Sequence, residues 1–330
     1  MSNKRVIITG GSGFIGTNLV SYFLDEGWEV LNFDIVEPRN QSHRPYWKKV
    51  DILNRSALLK ETQQCSPSVF LHFGARTDLG ESANLAGYAA NIEGVCNVVD
   101  VIRSTSSIRR VVFASSQLVC KLGYIPKNEF DYLPSTLYGQ SKVLTEKIIR
   151  SVDNINATWT IIRPTSLWGP WFDVPYKSFF NAIARNLYVH PRGITTLKQW
   201  GYIGNCVFQI HKIINAPEEI VHKKTFYLAD YIPLILRDFA DAVQKKVEAK
   251  PIKTVPASLM KTTARIGDIC KKLGWKNPPL TTFRYHNIVT NEIQDLTPLE
   301  AIASPLPFSI DNGIDVTVNW LKEIDKSLDI

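Results

Sequence analysis

A short apolar run that ends in a glycine-rich turn limits the possible folds of this chain more than any other feature. Residues 6–8 are Val-Ile-Ile, and Gly10, Gly13 and Gly16 follow them. In a strand–turn–helix unit the first glycine makes the tight turn, the second lets the backbone approach a phosphate, and the third lets the helix pack closely on the strand. The motif therefore predicts a binding site for a dinucleotide pyrophosphate at a helix N-terminus.

The sequence after this turn favours NAD as the dinucleotide. A second predicted strand, residues 28–33, is followed by Asp34, close to the spacing at which an acidic side chain binds the adenosine ribose hydroxyls. Its charge would repel the 2′-phosphate of NADP. The alternative interpretation is that Asp34 only caps the strand, and Arg39 is near enough in the sequence to offer a phosphate partner.

Strands and helices alternate through the first half of the chain. The apolar segments that we interpret as further strands are residues 49–52, 69–73, 110–114 and 158–162. This alternation predicts an α/β fold, a Rossmann-type doubly wound parallel sheet with a smaller C-terminal substrate-binding lobe. We expect residues 1–165 to form the NAD-binding domain, segments at about 200–230 to return to it, and residues 166–330 mainly to form the lobe.

Composition excludes several functional classes. Among the 330 residues, 45% are hydrophobic and 21% are charged, a balance typical of a folded globular chain. The net charge of +7 comes from basic residues scattered in ones and twos, which disfavours a nucleic-acid partner. No apolar run reaches membrane-spanning length and the N-terminus has no leader pattern, so we expect no membrane partner and a cytoplasmic location.

Cysteines and histidines give no sign of a metal site or a disulfide framework. The five cysteines are widely spaced without a Cys-x-x-Cys pair, which is typical of reduced thiols. The six histidines contain no pair at metal-ligand spacing. We therefore expect no metal site.

A tyrosine and a lysine four residues apart carry the predicted chemistry. Tyr138 and Lys142 would lie on one face of a helix, where the ammonium favours the phenolate. Alone such a pair is frequent, and a half-buried tyrosine beside a solvated lysine is then the better interpretation. Here the pair follows a predicted strand whose C-terminal end carries Ser115 and Ser116, at the edge where ligands bind to such sheets. We therefore interpret Tyr138 as the base that takes a proton from a substrate hydroxyl, and one of these serine hydroxyls as a hydrogen-bond partner of the same oxygen.

With these motifs in this order, the chain resembles the extended short-chain dehydrogenase/reductase family, specifically its NAD-dependent sugar epimerase/dehydratase branch. The resemblance covers nearly the whole chain and is strongest up to about Pro170. It implies that Ser116, Tyr138 and Lys142 are the catalytic residues. It also implies a set of NAD-binding residues: Gly10, Gly13, Phe14, Ile15, Gly16, Asp34, Asp51, Ile52, Phe73, Gly74, Ala75, Arg76, Asn91, Tyr138, Lys142 and Pro164.

Departures from the family pattern narrow the expected reaction. Gln117 and Leu118 stand where sugar 4,6-dehydratases carry an Asp-Glu pair; the family's decarboxylases carry Glu at the second of these positions, and its reductase-epimerases carry Cys at the first. The resemblance then implies oxidation and re-reduction at one carbon of a nucleotide sugar, with 4-epimerisation through a transient 4-keto intermediate as the expected reaction. A one-way sugar 4-ketoreductase or a dehydrogenase uses the same residues and remains an alternative.

Two further alternatives stay open. Residues 201–207 resemble a run in hydroxysteroid dehydrogenase relatives, and Ser166 stands where many sugar enzymes have an Asn, so a hydrophobic alcohol is the second candidate substrate. The other alternative is a regulator that binds the dinucleotide without catalysis. Such proteins typically lose the tyrosine or the lysine, and both are present here.

The expected substrate contacts lie in the second half of the chain. Ser166 matches a substrate-binding position of the family. The diphosphate of a nucleotide sugar would also need cations, for which Arg192, Lys198 and Arg284 are candidates, Arg284 being the first choice. For each of the three, a solvated surface charge is an equally good interpretation. The family commonly pairs the helices that follow Asn91 and Tyr138, so the resemblance implies a homodimer.

Overall fold

The computed structural model describes residues 4–79, 84–173, 176–275 and 278–324. The strands in these ranges are β1 (Arg5–Thr9), β2 (Glu29–Asp34), β3 (Trp47–Lys49), β4 (Val69–His72), β5 (Arg110–Ala114), β6 (Thr158–Pro164), β7 (Ser166–Trp168), β8 (Val189–Pro191), β9 (Leu197–Lys198), β10 (Trp200–Tyr202), β11 (Thr225–Leu228), β12 (Leu234–Ile235) and β13 (Lys253–Val255). The α-helices are α1 (Phe14–Asp25), α2 (Arg55–Cys65), α3 (Ala89–Arg103), α4 (Leu137–Arg150), α5 (Tyr176–Ala184), α6 (Ile203–Asn215), α7 (Glu218–Val221), α8 (Leu236–Lys246), α9 (Ala257–Lys272), α10 (Thr282–Val289), α11 (Thr297–Ala303) and α12 (Ile310–Ile324). Short 3₁₀ helices span Gln41–Tyr46, Leu85–Tyr88 and Gln117–Val119.

The centre of the molecule is a seven-stranded parallel sheet with the order β11-β6-β5-β4-β1-β2-β3. Six of these strands follow the order of a doubly wound dinucleotide-binding sheet, and β11 extends it at one edge. The predicted fold class is therefore confirmed. The sheet is covered on both faces, since Val6 and Ile8 of β1 lie in one hydrophobic cluster and Ile7, between them, lies in the other.

The strand order reverses between β1 and β4, so the loops after these two strands diverge to opposite faces of the sheet. In open α/β sheets this divergence forms a crevice at the carboxyl ends of the strands, and ligands bind there. The Gly10 turn follows β1, the segment that begins at Phe73 follows β4, and Ser116 follows β5. The fold thus collects three separately predicted motifs at one edge.

In the second half of the chain strands and helices alternate less regularly, and some of its elements join the central sheet and the helices that cover it. Helix α6 packs against α1, and β11 pairs with β6 in the central sheet. Three two-stranded sheets, β7 with β10, β8 with β13 and β9 with β12, connect the remaining helices. An aromatic cluster centred on Trp168, which is completely buried against Phe180, Tyr202 and Phe239, joins these elements to the large domain.

Candidate active site

The turn after β1 has the geometry that a pyrophosphate requires. Gly10 has φ +72, and a Cβ there would lie 2.6 Å from the carbonyl carbon of Phe73, so only glycine fits. A Cβ on Gly16 would overlap the Gly10 carbonyl, which explains the third glycine by close packing of helix on strand. No side chain caps the N-terminus of α1 at Gly13. Its first amides are therefore open to an anion, and the residues present fit the diphosphate of NAD.

Asp34 lies at the end of β2 and faces this turn. Its carboxylate accepts hydrogen bonds from the backbone amides of Ser12, at 3.0 Å, and Val36, at 3.2 Å. Burial raises the pKa of Asp34, while these amides act in the opposite direction. Arg39 donates to the Trp171 carbonyl and pairs with Asp173 at 3.4 Å. The cation that could have received a 2′-phosphate is therefore engaged elsewhere.

The other predicted cofactor residues line the same edge. Ile52 is buried beneath α3, and the Asp51 carboxylate accepts from the Leu53 amide at 2.9 Å. The amide of Gly74 donates to the Thr9 hydroxyl. Pro164 ends β6. Phe14 and Ile15 pack on the larger hydrophobic cluster, as does Phe73, which is followed by Gly74, Ala75 and Arg76.

Asn91, completely buried in α3, ties the loop after β4 to the helix that carries Tyr138. Its side chain accepts from the Arg76 amide at 2.8 Å and donates to the Arg76 carbonyl at 2.9 Å. The same amide group donates to Ser141, whose hydroxyl donates to the Tyr138 carbonyl at 2.7 Å. The Asn91 predicted from the sequence therefore fixes α4 relative to the sheet.

Ser116, Tyr138 and Lys142 come together at the carboxyl end of β5. Thr136 caps α4 by accepting from the Gly139 amide at 3.0 Å, so Tyr138 lies in the first turn of the helix. A Cβ on Gly139 would overlap the Leu118 carbonyl, so this turn lies directly against residues 117–119. As a result Ser116 lies close enough to Tyr138 to influence the pKa of its hydroxyl.

The electrostatics of this group are set by burial. Burial raises the pKa of Tyr138 to about 12, and the neighbouring Ser116 hydroxyl opposes that shift. Lys142 donates to the Ala114 carbonyl at 2.8 Å. Burial lowers the pKa of Lys142 to about 8, with Glu146 acting in the opposite direction. With the protein's own groups alone, the Tyr138 phenol therefore stays neutral at pH 7. It needs a further positive charge nearby to act as a base.

A buried ion pair between Glu146 and Arg163 connects the helix that carries Tyr138 and Lys142 to the central sheet. Glu146, one turn after Lys142 on α4, receives two hydrogen bonds at 2.8 Å from Arg163 of β6. Ser115 donates to the same carboxylate at 2.6 Å and Tyr132 at 2.9 Å. With every carboxylate oxygen satisfied, this two-point interaction locks α4 against β6. Arg163 thus has a structural role, immediately before the predicted NAD-binding residue Pro164.

A second polar cluster lies beside Ser116, and sequence reasoning identified only part of it. The members are Gln117, Ser166, Tyr176, Lys198 and Glu292, which come from five separate segments. Tyr176 donates to Ser166 at 2.7 Å, and Glu292 pairs with Lys198 at 3.3 Å. Gln117 donates through its side-chain amide to the Glu292 carboxylate. Burial raises the pKa of Tyr176, and both Glu292 and Tyr138 act on it in the same direction, so this cluster lies next to Tyr138.

The carboxylate of Glu292 decides which way the Gln117 amide points. Because Glu292 is an acceptor, the amide nitrogen of Gln117 must face it, and the carbonyl oxygen faces away. That oxygen, Oε1, is buried and has no hydrogen-bond partner. A buried acceptor without a donor costs free energy, so this atom is a candidate to accept a hydrogen bond from a bound molecule.

The three predicted phosphate-binding cations are dispersed. Lys198 is buried against Glu292, whereas Arg192 is exposed on the turn after β8. Arg284, half-buried in α10, donates to the carbonyls of Pro278 and Pro279 at 2.8 and 3.0 Å. Among the described residues no group of His, Cys, Asp or Glu could hold a metal ion. The helices in the described ranges also include none that is long and apolar enough to cross a membrane.

Comparison with known proteins places this geometry in a family. Residues 6–229 match the sequence model of the NAD dependent epimerase/dehydratase family. A 3-beta-hydroxysteroid dehydrogenase of Mycolicibacterium neoaurum is 29% identical over 258 residues, which cover 72% of this chain and 69% of that protein.

Two other relatives extend over nearly the whole chain. An N-acetyl-alpha-D-glucosaminyl-diphospho-ditrans,octacis-undecaprenol 4-epimerase of Escherichia coli O157:H7 is 24% identical over 328 residues, covering 96% of this chain and 95% of that protein. A Thermus thermophilus UDP-glucose 4-epimerase, solved in complex with NAD, superposes with a TM-score of 0.72 at 18% identity, covering 97% of this chain and 100% of that one. At that identity the structural likeness concerns the fold.

Proposed function

The chain belongs to the NAD-dependent epimerase/dehydratase family, and on that premise we propose that it oxidises and re-reduces C4 of a nucleotide sugar, through a transient 4-keto intermediate. Membership confirms the predicted family and NAD as the cofactor. The observation that carries the proposal is the position of the Ser116, Tyr138 and Lys142 group next to the buried polar cluster of Gln117, Ser166, Tyr176, Lys198 and Glu292. A substrate that is bound there is contacted by many hydrogen-bonding groups, as a sugar requires.

Each catalytic residue has a distinct role in this proposal. NAD, when bound at the Gly10 turn and Asp34, supplies a hydride acceptor and a positively charged ring. Tyr138 takes the proton of the substrate hydroxyl and later returns it. Ser116, next to Tyr138, contacts the same substrate oxygen and stabilises its developing charge. Lys142, held by the Ala114 carbonyl, carries the positive charge that favours the phenolate.

The polar cluster supports a sugar in preference to a hydrophobic alcohol. The unpaired Oε1 of Gln117 requires a donor such as a hydroxyl or an amine close to the reacting carbon. The nearly full-length Escherichia coli relative is named for 4-epimerisation of a sugar linked through a diphosphate. We therefore include a lipid-linked sugar diphosphate, beside soluble nucleotide sugars, in the proposed substrate class.

Oxidation of a hydroxysteroid-like alcohol is the second candidate function. It is favoured by the Mycolicibacterium neoaurum relative and by residues 201–207. Ser116, Tyr138 and Lys142 would perform the same chemistry on such an alcohol, and only the second half of the chain would distinguish the two substrates. A regulator without catalysis is disfavoured, because the whole catalytic group is assembled.

A set of parallel incubations distinguishes sugar 4-epimerisation from sugar dehydrogenation and from oxidation of a steroid alcohol. The purified protein is given NAD and, separately, UDP-glucose, UDP-N-acetylglucosamine, a lipid-linked sugar diphosphate and a steroid alcohol. Interconversion of C4 epimers without net NADH supports the proposal. NADH in proportion to product identifies a dehydrogenase, and its appearance only with the steroid supports the second candidate. If no substrate turns over although NAD binds, the proposed chemistry is wrong.

We also propose that the protein forms a homodimer. Helices α3 and α4 pack side by side, and a homodimer would pair them with the same helices of a second copy. Sedimentation at micromolar concentration measures this directly. We also propose a cytoplasmic location, which fits the five free cysteines.

A further inference from the structure

Helix α9 has an apolar face that the protein covers and a second one that it leaves exposed. Met260, Ala264 and Gly267 form the buried face, which packs on α10. Leu259, Ile266, Ile269 and Leu273 follow one another at intervals of seven, three and four residues, so they share a different face. Their exposed fractions are 55%, 54%, 57% and 82%.

Two further exposed apolar side chains lie close to the C-terminal end of the helix. Trp275, two residues after Leu273, is 54% exposed, and Phe283 on the adjacent α10 is 53% exposed. Single exposed apolar residues are ordinary on a protein surface, but a row of this length on one face is not. We call the row formed by Leu259, Ile266, Ile269, Leu273 and Trp275 the α9 apolar stripe.

The charges beside the stripe are almost all of one sign. Lys261, Arg265 and Lys272 are exposed and lie in a row at intervals of four and seven residues, next to the stripe on the helix surface. Asp268 is the one acidic residue of α9, and its carboxylate accepts from the Thr282 amide at 3.2 and 3.3 Å. The stripe is therefore bordered by cations without compensating exposed acids on the helix.

We propose that the α9 apolar stripe docks on the surface of a bilayer that contains anionic phospholipid. A helix with Leu, Ile and Trp on one face and Lys and Arg beside it is suited to lie in the plane of the interface. The apolar side chains enter the acyl boundary, Trp275 occupies the headgroup level, and the basic row pairs with lipid phosphates.

Charge also argues against a second copy of this chain as the occupant. Two α9 helices placed face to face would bring their basic rows together, because neither offers an exposed carboxylate to the other. An anionic surface satisfies the same row without this repulsion. The sequence has no apolar run long enough to span a membrane. A helix that lies on the surface of a bilayer does not need such a run, so the proposal is compatible with this observation.

The test uses the full chain with NAD present and two kinds of vesicle. Vesicles of phosphatidylcholine alone are compared with vesicles that contain about 30% phosphatidylglycerol, at low salt and at high salt, by sedimentation. We expect binding to the anionic vesicles at low salt, weakened by high salt, since each basic residue near an anionic surface changes partition by roughly fivefold.

Two sets of variants locate the contact. Ile266→Ser with Leu273→Ser should lower partition by ~10-fold or more, because each side chain loses its apolar insertion. Leu187→Ser, at a position 71% exposed elsewhere, is the matched control and should bind as wild type. Lys261→Gln, Arg265→Gln and Lys272→Gln together should lower partition by ~100-fold, whereas Lys60→Gln, Arg109→Gln and Lys224→Gln, at other exposed positions, should change it far less.

The results separate docking on a membrane from misfolding and from self-association. NAD affinity, measured by fluorescence titration, should be unchanged in every variant, which shows that each is folded. Equal loss of binding in the test and control sets would overturn the proposal, as would failure of the wild type to bind anionic vesicles. A monomer–dimer shift caused by Ile266→Ser and Leu273→Ser without vesicle binding would identify a second copy as the occupant and would likewise refute it.

Discussion

Replacing Glu292 by Gln tests the energetic role of the buried Glu292–Lys198 pair, which lies beside the proposed catalytic group. Glu292 is 4% exposed and Lys198 only 2%, and their charged atoms lie 3.3 Å apart. Glu292→Gln keeps the shape of the side chain but leaves the Lys198 ammonium buried without a counter-charge. Removing one member of a buried pair costs about 3 to 5 kcal/mol, and we expect the lower end, since the glutamine oxygen can still accept one hydrogen bond.

The stability lost in Glu292→Gln should depend on pH through the protonation of Lys198. Burial lowers the pKa of Lys198, and Glu292 opposes that shift, so the pKa falls further in Glu292→Gln. In the unfolded chain the lysine titrates near 10.5, so between the lowered folded value and 10.5 the unfolded state binds more protons. Stability of the variant must then rise with pH in this window. The deficit relative to wild type should therefore be largest on the acid side and shrink towards alkaline pH.

A double-mutant cycle gives the decisive measurement. Denaturant unfolding at pH 7 and at pH 9.5 is followed for wild type, Glu292→Gln, Lys198→Met and the double variant. We expect the double variant to recover most of the loss, to within about 1 kcal/mol of wild type, and to lack the pH-dependent deficit. If Glu292→Gln is as stable as wild type, or if adding Lys198→Met makes it worse, Glu292 is not the counter-charge that stabilises the buried ammonium.

Further expected outcomes concern the catalytic group, the cofactor, the core and the substrate. Tyr138→Phe should lower turnover by ~100-fold or more, while NAD affinity measured by fluorescence titration changes little; near-normal turnover would remove Tyr138 from the role of base. Asp34→Ser should shift the ratio of kcat/KM values towards NADP, and an unchanged ratio would show that Asp34 does not face the ribose. Burial lowers the pKa of His72 to about 3 from 6.5, so below pH 6.5 the unfolded chain binds a proton that the folded protein does not, and the free energy of unfolding falls by about 2 kcal/mol at pH 5. His72→Gln should flatten that part of the profile of unfolding free energy against pH. An identical profile in the variant would contradict a neutral, buried His72. Arg284→Ala should raise the KM for a nucleotide sugar by ~10-fold with kcat less affected, whereas a change in unfolding free energy alone would limit Arg284 to its contacts with Pro278 and Pro279.

Much of the first half of the fold could be predicted from local patterns. Residues 6–8 and the glycines after them specify a strand, a turn and a helix within one short segment, because Gly10 needs a positive φ and Gly16 permits close packing. The Tyr138 and Lys142 spacing likewise depends on the period of a single helix. Family, fold class and cofactor were therefore accessible from the sequence and are confirmed, and the structure brings Ser116, Tyr138 and Lys142 together.

Only the tertiary structure decides what surrounds the reacting carbon. Gln117 and Leu118 stand where the family's dehydratases carry two acidic residues, yet the Glu292 carboxylate reaches Gln117 from 175 positions along the chain. Neither Glu292 nor Tyr176 has a local pattern that marks it, because their partners lie on β7, on β9 and in the segment after β5. Lys198, chosen from the sequence as a possible phosphate contact, lies buried as the counter-charge of Glu292. Backbone periodicity is a property of neighbouring residues, whereas a buried charge balance is a property of segments that meet only when the chain has folded.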